Sequence, residues 1–222
     1  MKAPLTRTTL ALAGIAIADS EGLKALTMRR VASVLDVSGM AAYRHVDDRD
    51  DLLVAMVDVI TRERRADLAV DSGWDVALRA VAQADWDSFA RHPWLIEVWS
   101  TPRRRVDMGS FDRLEHLLDQ LATAGVPDEL CLSIVLGVLG MTLGMAAMAI
   151  EDAGATSDPD LSEFWTESAR GMGPEFARSH PRSTWFMTHL NDSGGHAAFA
   201  DALDAFLHGV AARHGLPVTA KA

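Results

Sequence analysis

A chain of 222 residues holds enough material for one small and one larger domain, and its single cysteine, Cys131, excludes an intramolecular disulfide. One tyrosine and no run of alternating β-branched residues exclude a sheet-based fold and leave an all-α one. The net charge of −10 is unevenly held: residues 1–65 carry ten Lys and Arg against nine Asp and Glu, the remainder eleven against 22, so the basic residues of an acidic protein gather where a polyanion would be addressed.

Met1 to Pro4 read as a frayed arm and Leu5 to Ser20 as a first helix, with Leu10, Ala13, Gly14 and Ile17 on its apolar face and Glu21-Gly22 at its end. Lys2 leads directly into this capped helix without a signal-peptide pattern, so the chain is expected in the cytoplasm. Leu26 to Leu53 then read as two short helices, a tight turn and the start of a third helix. Thr27 stands at an N-cap before the apolar face Val31, Ala32 and Leu35; Asp36-Val37-Ser38 form the turn. Ser38 caps a second helix, Gly39 to Val46, whose inner face, Ala41 and Ala42, is small enough for a close crossing. Its outer face carries Met40, Tyr43, Arg44 and His45, a set suited to phosphates and base edges in a major groove. The alternative is an ordinary helical hairpin with a few solvated charges. A fourth helix from Asp48 to Arg65 carries Leu53, Met56, Val57 and Ile60 at helical spacing; no Gly, Pro or Ser interrupts Asp50 to Val70, which reads as a rigid connector.

The segments LTMRRVA, LDVS, AAYRHV and RDDLL within this stretch resemble the DNA-binding domain of the tetracycline-repressor (TetR) family of bacterial transcription regulators. The resemblance implies that Thr27, Met28 and Arg29, at the start of the second helix, touch the DNA backbone and sometimes bases. Capped by Ser38, the third helix would read bases with Gly39, Met40 and Arg44 and hold phosphates with Tyr43, His45 and Arg49. One departure is Asp47-Asp48, where the family often has Pro-Ser or Pro-Asn: two carboxylates stand beside Arg49, and Asp48 is suited to capping the fourth helix.

Gly73-Trp74 opens the second domain, and Leu78, Ala82, Trp86 and Phe89 form a helix stripe ending at Arg91-His92. Pro93 starts a short helix, Trp94 to Trp99, that stops before Thr101-Pro102; the basic run Arg103, Arg104 and Arg105 reads as a solvated loop. Phe111, Leu114, Leu118 and Leu121 mark the next helix, ended by Gly125-Val126-Pro127. Leu130 to Ile150 contain no charge in 21 residues, enough to span a bilayer, yet the flanks Asp128-Glu129 and Glu151-Asp152 offer no membrane anchor. A helix buried on every side is expected instead, with Gly137, Gly140 and Gly144 as flat places for a close helix or subunit contact. Ala153 to Asp160 read as a loop, Leu161 to Arg170 as a short helix, and Gly171 to Ser183 as irregular and mobile. After Gly194-Gly195 the last helix carries Phe199, Leu203, Phe206 and Val210, a seam expected to build a dimeric bundle with the uncharged helix.

From Trp74 through Thr101-Pro102, Glu151-Asp152 and the Gly-Gly-preceded helix with Phe199, this domain also resembles the TetR ligand domain. The chain is therefore expected to comprise a helix-turn-helix domain over residues 1–65, an effector-binding and dimerisation domain over 66–216 and a tail over 217–222. The resemblance implies a homodimeric, ligand-responsive repressor at the nucleoid, released by a small molecule from a pseudo-palindromic duplex operator. It does not imply the magnesium–tetracycline chelate. Trp99 falls where the metal-binding histidine would stand, Arg64 and Arg65 where a drug-contacting histidine would be, and Ala80 or Val81 at the amide-bearing position; an indole has no lone pair for a metal.

The candidate effector lining is then Trp86, Phe89, Trp94, Trp99, Met141, Met145 and Trp165, suited to a flat apolar or aromatic molecule, although the same residues could simply fill a core. The eight histidines form no metal-ligand pattern, and neither a nucleophile elbow nor a phosphate loop occurs, so no catalytic residue, metal, cofactor or membrane partner is expected. The alternative class is a small-molecule-binding or enzymatic α-bundle whose helix-turn-helix is only structural.

Overall fold

Side-chain caps set the helix starts of the N-terminal unit. In this computed structural model, which describes residues 4–63, 73–101, 106–150, 161–189 and 194–219 without the side chains of 161–165, 189 and 194, Thr6 opens α1 (Arg7–Glu21). Its hydroxyl accepts from the Thr9 amide at 3.1 Å while its own amide donates to the Thr9 hydroxyl at 2.8 Å. Thr27 accepts from the Arg30 amide at the start of α2 (Met28–Val34), and Ser38 from the Ala41 amide at the start of α3 (Gly39–Ala42). Asp48 accepts from the Asp51 amide at 2.7 Å and caps α4 (Arg49–Glu63). Between α2 and α3 the chain turns at Asp36, φ 52°, a left-handed conformation that a short polar side chain tolerates.

The second unit contains α5 (Trp74–Arg91), α6 (Trp94–Ser100), α7 (Met108–Thr123), α8 (Asp128–Ala149), α9 (Leu161–Gly171), α10 (Gly173–Ser179), α11 (Pro181–His189) and α12 (Gly194–His214). No strand occurs among the described residues, and the fold is all-α. In the first unit α1 lies along α4, burying Leu10, Leu26, Leu52 and Met56 completely or nearly so; in the second α8 is packed between α5 and α12 over Leu78, Phe89, Ile134 and Phe199. The expected domain boundary at 65/66, Arg64 and Arg65, the fourth helix beyond Glu63, Arg103 to Arg105, the loop Ala153 to Asp160 and the Trp165 side chain lie outside the described residues.

Four expectations change. The third helix is shorter than Gly39 to Val46: the Tyr43 amide still reaches the Gly39 carbonyl, but Arg44 and His45 bond carbonyls three residues back, tightening the last turn. The stretch Gly171 to Ser183 is helical rather than irregular, because Pro174 and Pro181 lie in the first turns of α10 and α11, where a missing N–H costs nothing. On α8 one stripe, Cys131, Ile134, Val138, Thr142 and Ala146, is buried, whereas Leu132, Leu136 and Met148 are exposed; this helix, long and apolar enough to cross a membrane, is not covered on every side within the protomer. Finally, residues 217–219 are no free tail. The Trp74 indole donates to the Pro217 carbonyl at 2.6 Å, and the Thr219 amide and hydroxyl donate to the Asp75 carboxylate at 3.2 and 3.0 Å.

Candidate nucleic-acid interface and ligand cavity

Burial of Ala42 and Val46 turns the other side of α3 and its final turn outward. Ser38, Gly39, Met40, Tyr43, Arg44 and His45 are exposed, Met40 by 78% and Tyr43 by 51%, as are Thr27 and Arg29 at the start of α2. Two expected contacts are not presented. Met28 shares the inner face of α2 with Val31 and Ala32 and is buried. Arg49 turns back: its Nε donates to the Leu26 carbonyl at 3.0 Å and its Nη2 to the Leu23 carbonyl at 3.1 Å, satisfying acceptors around a single 3-10 turn. Arg49 is thus a clamp on the scaffold rather than a free cation for phosphate. A second clamp, missed in the sequence, is Arg7, whose guanidinium grips both Asp51 carboxylate oxygens at 2.6 and 2.7 Å and joins α1 to the first turn of α4. The hydrogen bonds from Arg7 raise that guanidinium's pKa further.

A partly open cavity of about 280 Å³ lies in the second unit between α5, α6, α7 and α8. Leu78, Val81, Trp99, Leu117, Val138 and Leu139 form much of its wall, and Val106, Phe111 and Leu136, also lining it, are exposed. Of the expected effector residues Trp99 lines the cavity, with Phe89 packed edge-on behind it, ring centroids 6.1 Å apart. Trp86 is instead stacked on Phe199 at 4.7 Å, Trp94 donates its indole N–H to Asp19 at 2.7 Å, and Met141 and Met145 pack half-buried against the core. Missed altogether was an ion pair in the cavity wall: Arg113 Nη2 lies 2.9 and 3.2 Å from the two Asp85 oxygens, and both side chains are nearly buried. Asp85 follows Leu78 and Val81 on one helical face, so a charged residue on an apolar stripe was the signal that could have found it.

Among the described residues, hydrogen bonds at two places join this unit to the first. Asp19, near the end of α1, accepts from His92 Nδ1–H at 2.8 Å as well as from Trp94. Asp58 on α4 accepts from the Gly109 amide at 3.3 Å, and a Cβ on Gly109 would stand 3.3 Å from the same Asp58 oxygen and 3.2 Å from Asp107 Oδ1, so α7 approaches α4 closely here. The following turn of α7 contributes Ser110, Phe111 and Arg113 to the cavity.

The expected dimer residues separate into two sets. Gly137 lies under Phe206 of the same chain, whose Cζ a Cβ would meet at 2.6 Å, and Phe199 and Leu203 are buried in the protomer, so these contacts are internal. Val210 is half-buried, and Gly140 and Gly144 face open space.

No family model matches the sequence. The chain is 34% identical over 168 residues to the HTH-type transcriptional repressor DrrR1 of Streptomyces coeruleorubidus, covering 74% of this chain and 62% of that protein. It is 30% identical over 123 residues to an HTH-type transcriptional regulator of Saccharopolyspora erythraea, covering 54% of this chain and 51% of that one. The chain thus spans less than two thirds of the length of either relative. In structure it is similar to the TetR family protein ActR of Streptomyces coelicolor in complex with actinorhodin, with a TM-score of 0.76 and 21% identity over 98% of this chain and 100% of that one. The chain is related in sequence to helix-turn-helix transcriptional regulators and has the TetR-family fold.

Proposed function

We propose that the chain is a cytoplasmic, homodimeric transcription regulator, a repressor that leaves its operator when a small, mostly apolar molecule enters the cavity between α5 and α8. The observation that carries this reading is the position of α7: one end of it lines the cavity and, at Gly109, presses on α4 through Asp58. A ligand that displaces the α7 first turn moves α4, to which Arg7 ties α1 and Arg49 ties the turn before α2, and through the bond of Arg7 to the His45 carbonyl the end of the α3 surface. The relatives named as repressor and regulator support the DNA partner, and the ActR–actinorhodin complex supports a small-molecule ligand.

The dimer reading rests on the exposed face of α8. Leu132, Leu136 and Met148 are apolar and uncovered, while Gly140 and Gly144 leave room for a second backbone. Two copies joined there present two α3 surfaces, which a pseudo-palindrome with half-sites about 34–36 Å apart accommodates. Thr27, Arg29, Ser38, Tyr43 and His45 serve the phosphates, and Gly39, Met40 and Arg44 the base edges. Residues 1–65 form the DNA-binding unit, and the chain after it the ligand and dimer unit. Electrophoretic retardation of the duplex upstream of the chain's own coding region tests this: a discrete complex that weakens steeply with salt is expected. No complex at low salt would overturn it in favour of a helical bundle that binds small molecules alone.

A further inference from the structure

Resting on the proposed regulator reading, the inference concerns what the tip of α3 selects. Among the described residues Met40 is the most exposed large apolar side chain, at 78%. It is the one long side chain of α3, whose sequence is Gly-Met-Ala-Ala. Ala42, two residues on and about 200° around the helix, is fully buried, so Met40 points away from the core. The place a Cβ would take on Gly39 is open, with no atom within 4 Å, and the first turn of α3 can therefore come close to a surface. Tyr43 and Arg44, three and four residues beyond Met40, share its side and are exposed.

In a major groove the N-terminal residues of the reader helix meet base edges. A thioether chain has no N–H to donate and accepts only weakly. Against guanine N7 and O6, adenine N7 and N6 or cytosine N4 it would cover a polar group and leave it without a partner, which is costly. Thymine alone presents a methyl group, at C5, and a flexible, polarisable Met side chain adapts to its shape. Arg44 lies one helical turn away, roughly 5 Å along α3, while base pairs stack every ~3.4 Å. We infer that Met40 is a specificity-determining residue: it packs on the C5-methyl of one thymine in each half-site, within about two base steps of the pair that Arg44 reads.

Deoxyuridine differs from thymidine only in lacking this methyl, so the test removes one group and no hydrogen bond. The duplex upstream of the chain's own coding region is resynthesised with deoxyuridine for thymidine at one symmetry-related pair of positions at a time, and affinity is followed by fluorescence anisotropy. At one such pair the unmodified chain is expected to lose about fourfold per half-site, roughly 15-fold for two, the factor that burial of one methyl carries. Met40→Ala is expected to bind the thymine duplex as weakly as the unmodified chain binds the uracil one, and to be indifferent to the exchange at that pair. Met40→Leu, still apolar, and Arg44→Ala are expected to keep the methyl dependence. A chain that retards the duplex yet responds to no thymine methyl, or whose Met40→Ala variant responds as the unmodified chain does, overturns the inference and keeps the regulator reading. A chain that retards no duplex at low salt loses both.

Discussion

The N-terminal unit and α8 solve opposite problems. The first closes its core within one chain, burying Leu10, Leu26, Leu52 and Met56, and clamps its outside with Arg7 on Asp51 and Arg49 on two carbonyls, while the α3 side presents exposed polar groups such as Tyr43, Arg44 and His45. Helix α8 is uncharged from Leu130 to Ala149, yet it buries one stripe and leaves Leu132, Leu136 and Met148 in the open. A rigid, polar surface that is finished alone suits a partner met in water. An apolar face that is unfinished alone needs a second apolar face to cover it.

If the contrast is right, changes on α8 act on assembly and leave the protomer intact. Gly140→Leu has open space in the protomer, so the fold should survive, while the enlarged side chain pushes two α8 helices apart. Sedimentation should show a folded monomer, and operator affinity should fall by roughly 10²–10⁴, the advantage of binding two half-sites at once. A dimeric Gly140→Leu protein would place the interface elsewhere. Next in size is Arg44→Ala, expected to cost about 1–3 kcal/mol on the operator and to relax preference at one base pair per half-site.

Arg49→Ala tests the polar unit from the inside. Removal of the clamp on the Leu23 and Leu26 carbonyls should lower unfolding free energy by about 1–2 kcal/mol in urea titrations. The salt slope of DNA binding should stay unchanged; a slope shallower by about one unit would return Arg49 to the phosphates. The smallest effect belongs to Asp75. Burial opposes its charge, but hydrogen bonds from Arg79 and Thr219 prevail and hold the carboxyl below its ordinary value. A carboxyl depressed on folding contributes stability above its unfolded pKa and loses it as pH falls through the folded one. Stability should therefore decline into the acid range with a component that Asp75→Asn removes.

What could be read from the sequence follows the same division. Thr27, Ser38 and Asp48 cap their own helices within three residues, so the helix starts of the reader unit were legible. Side-chain direction was not. Met28 and Arg49 are placed by partners elsewhere in the fold, and a motif carries their positions without their orientation. In the second unit the α7 stripe Phe111, Leu114, Leu118 and Leu121 gave the helix but not its buried face, which runs through Leu117 and Leu121 and leaves Phe111 and Leu114 at the cavity. Aromatic residues chosen as ligand contacts were spent on packing, Trp86 on Phe199 and Trp94 on Asp19, because periodicity does not distinguish a wall from a core.

The most direct test of the account is binding-site selection from random duplexes with the unmodified chain. The account predicts enrichment of an inverted repeat whose half-site centres lie about 34–36 Å apart, one turn of DNA, as two α3 surfaces on a two-fold dimer require. Enrichment of no sequence, or of a single unrepeated half-site, would contradict it.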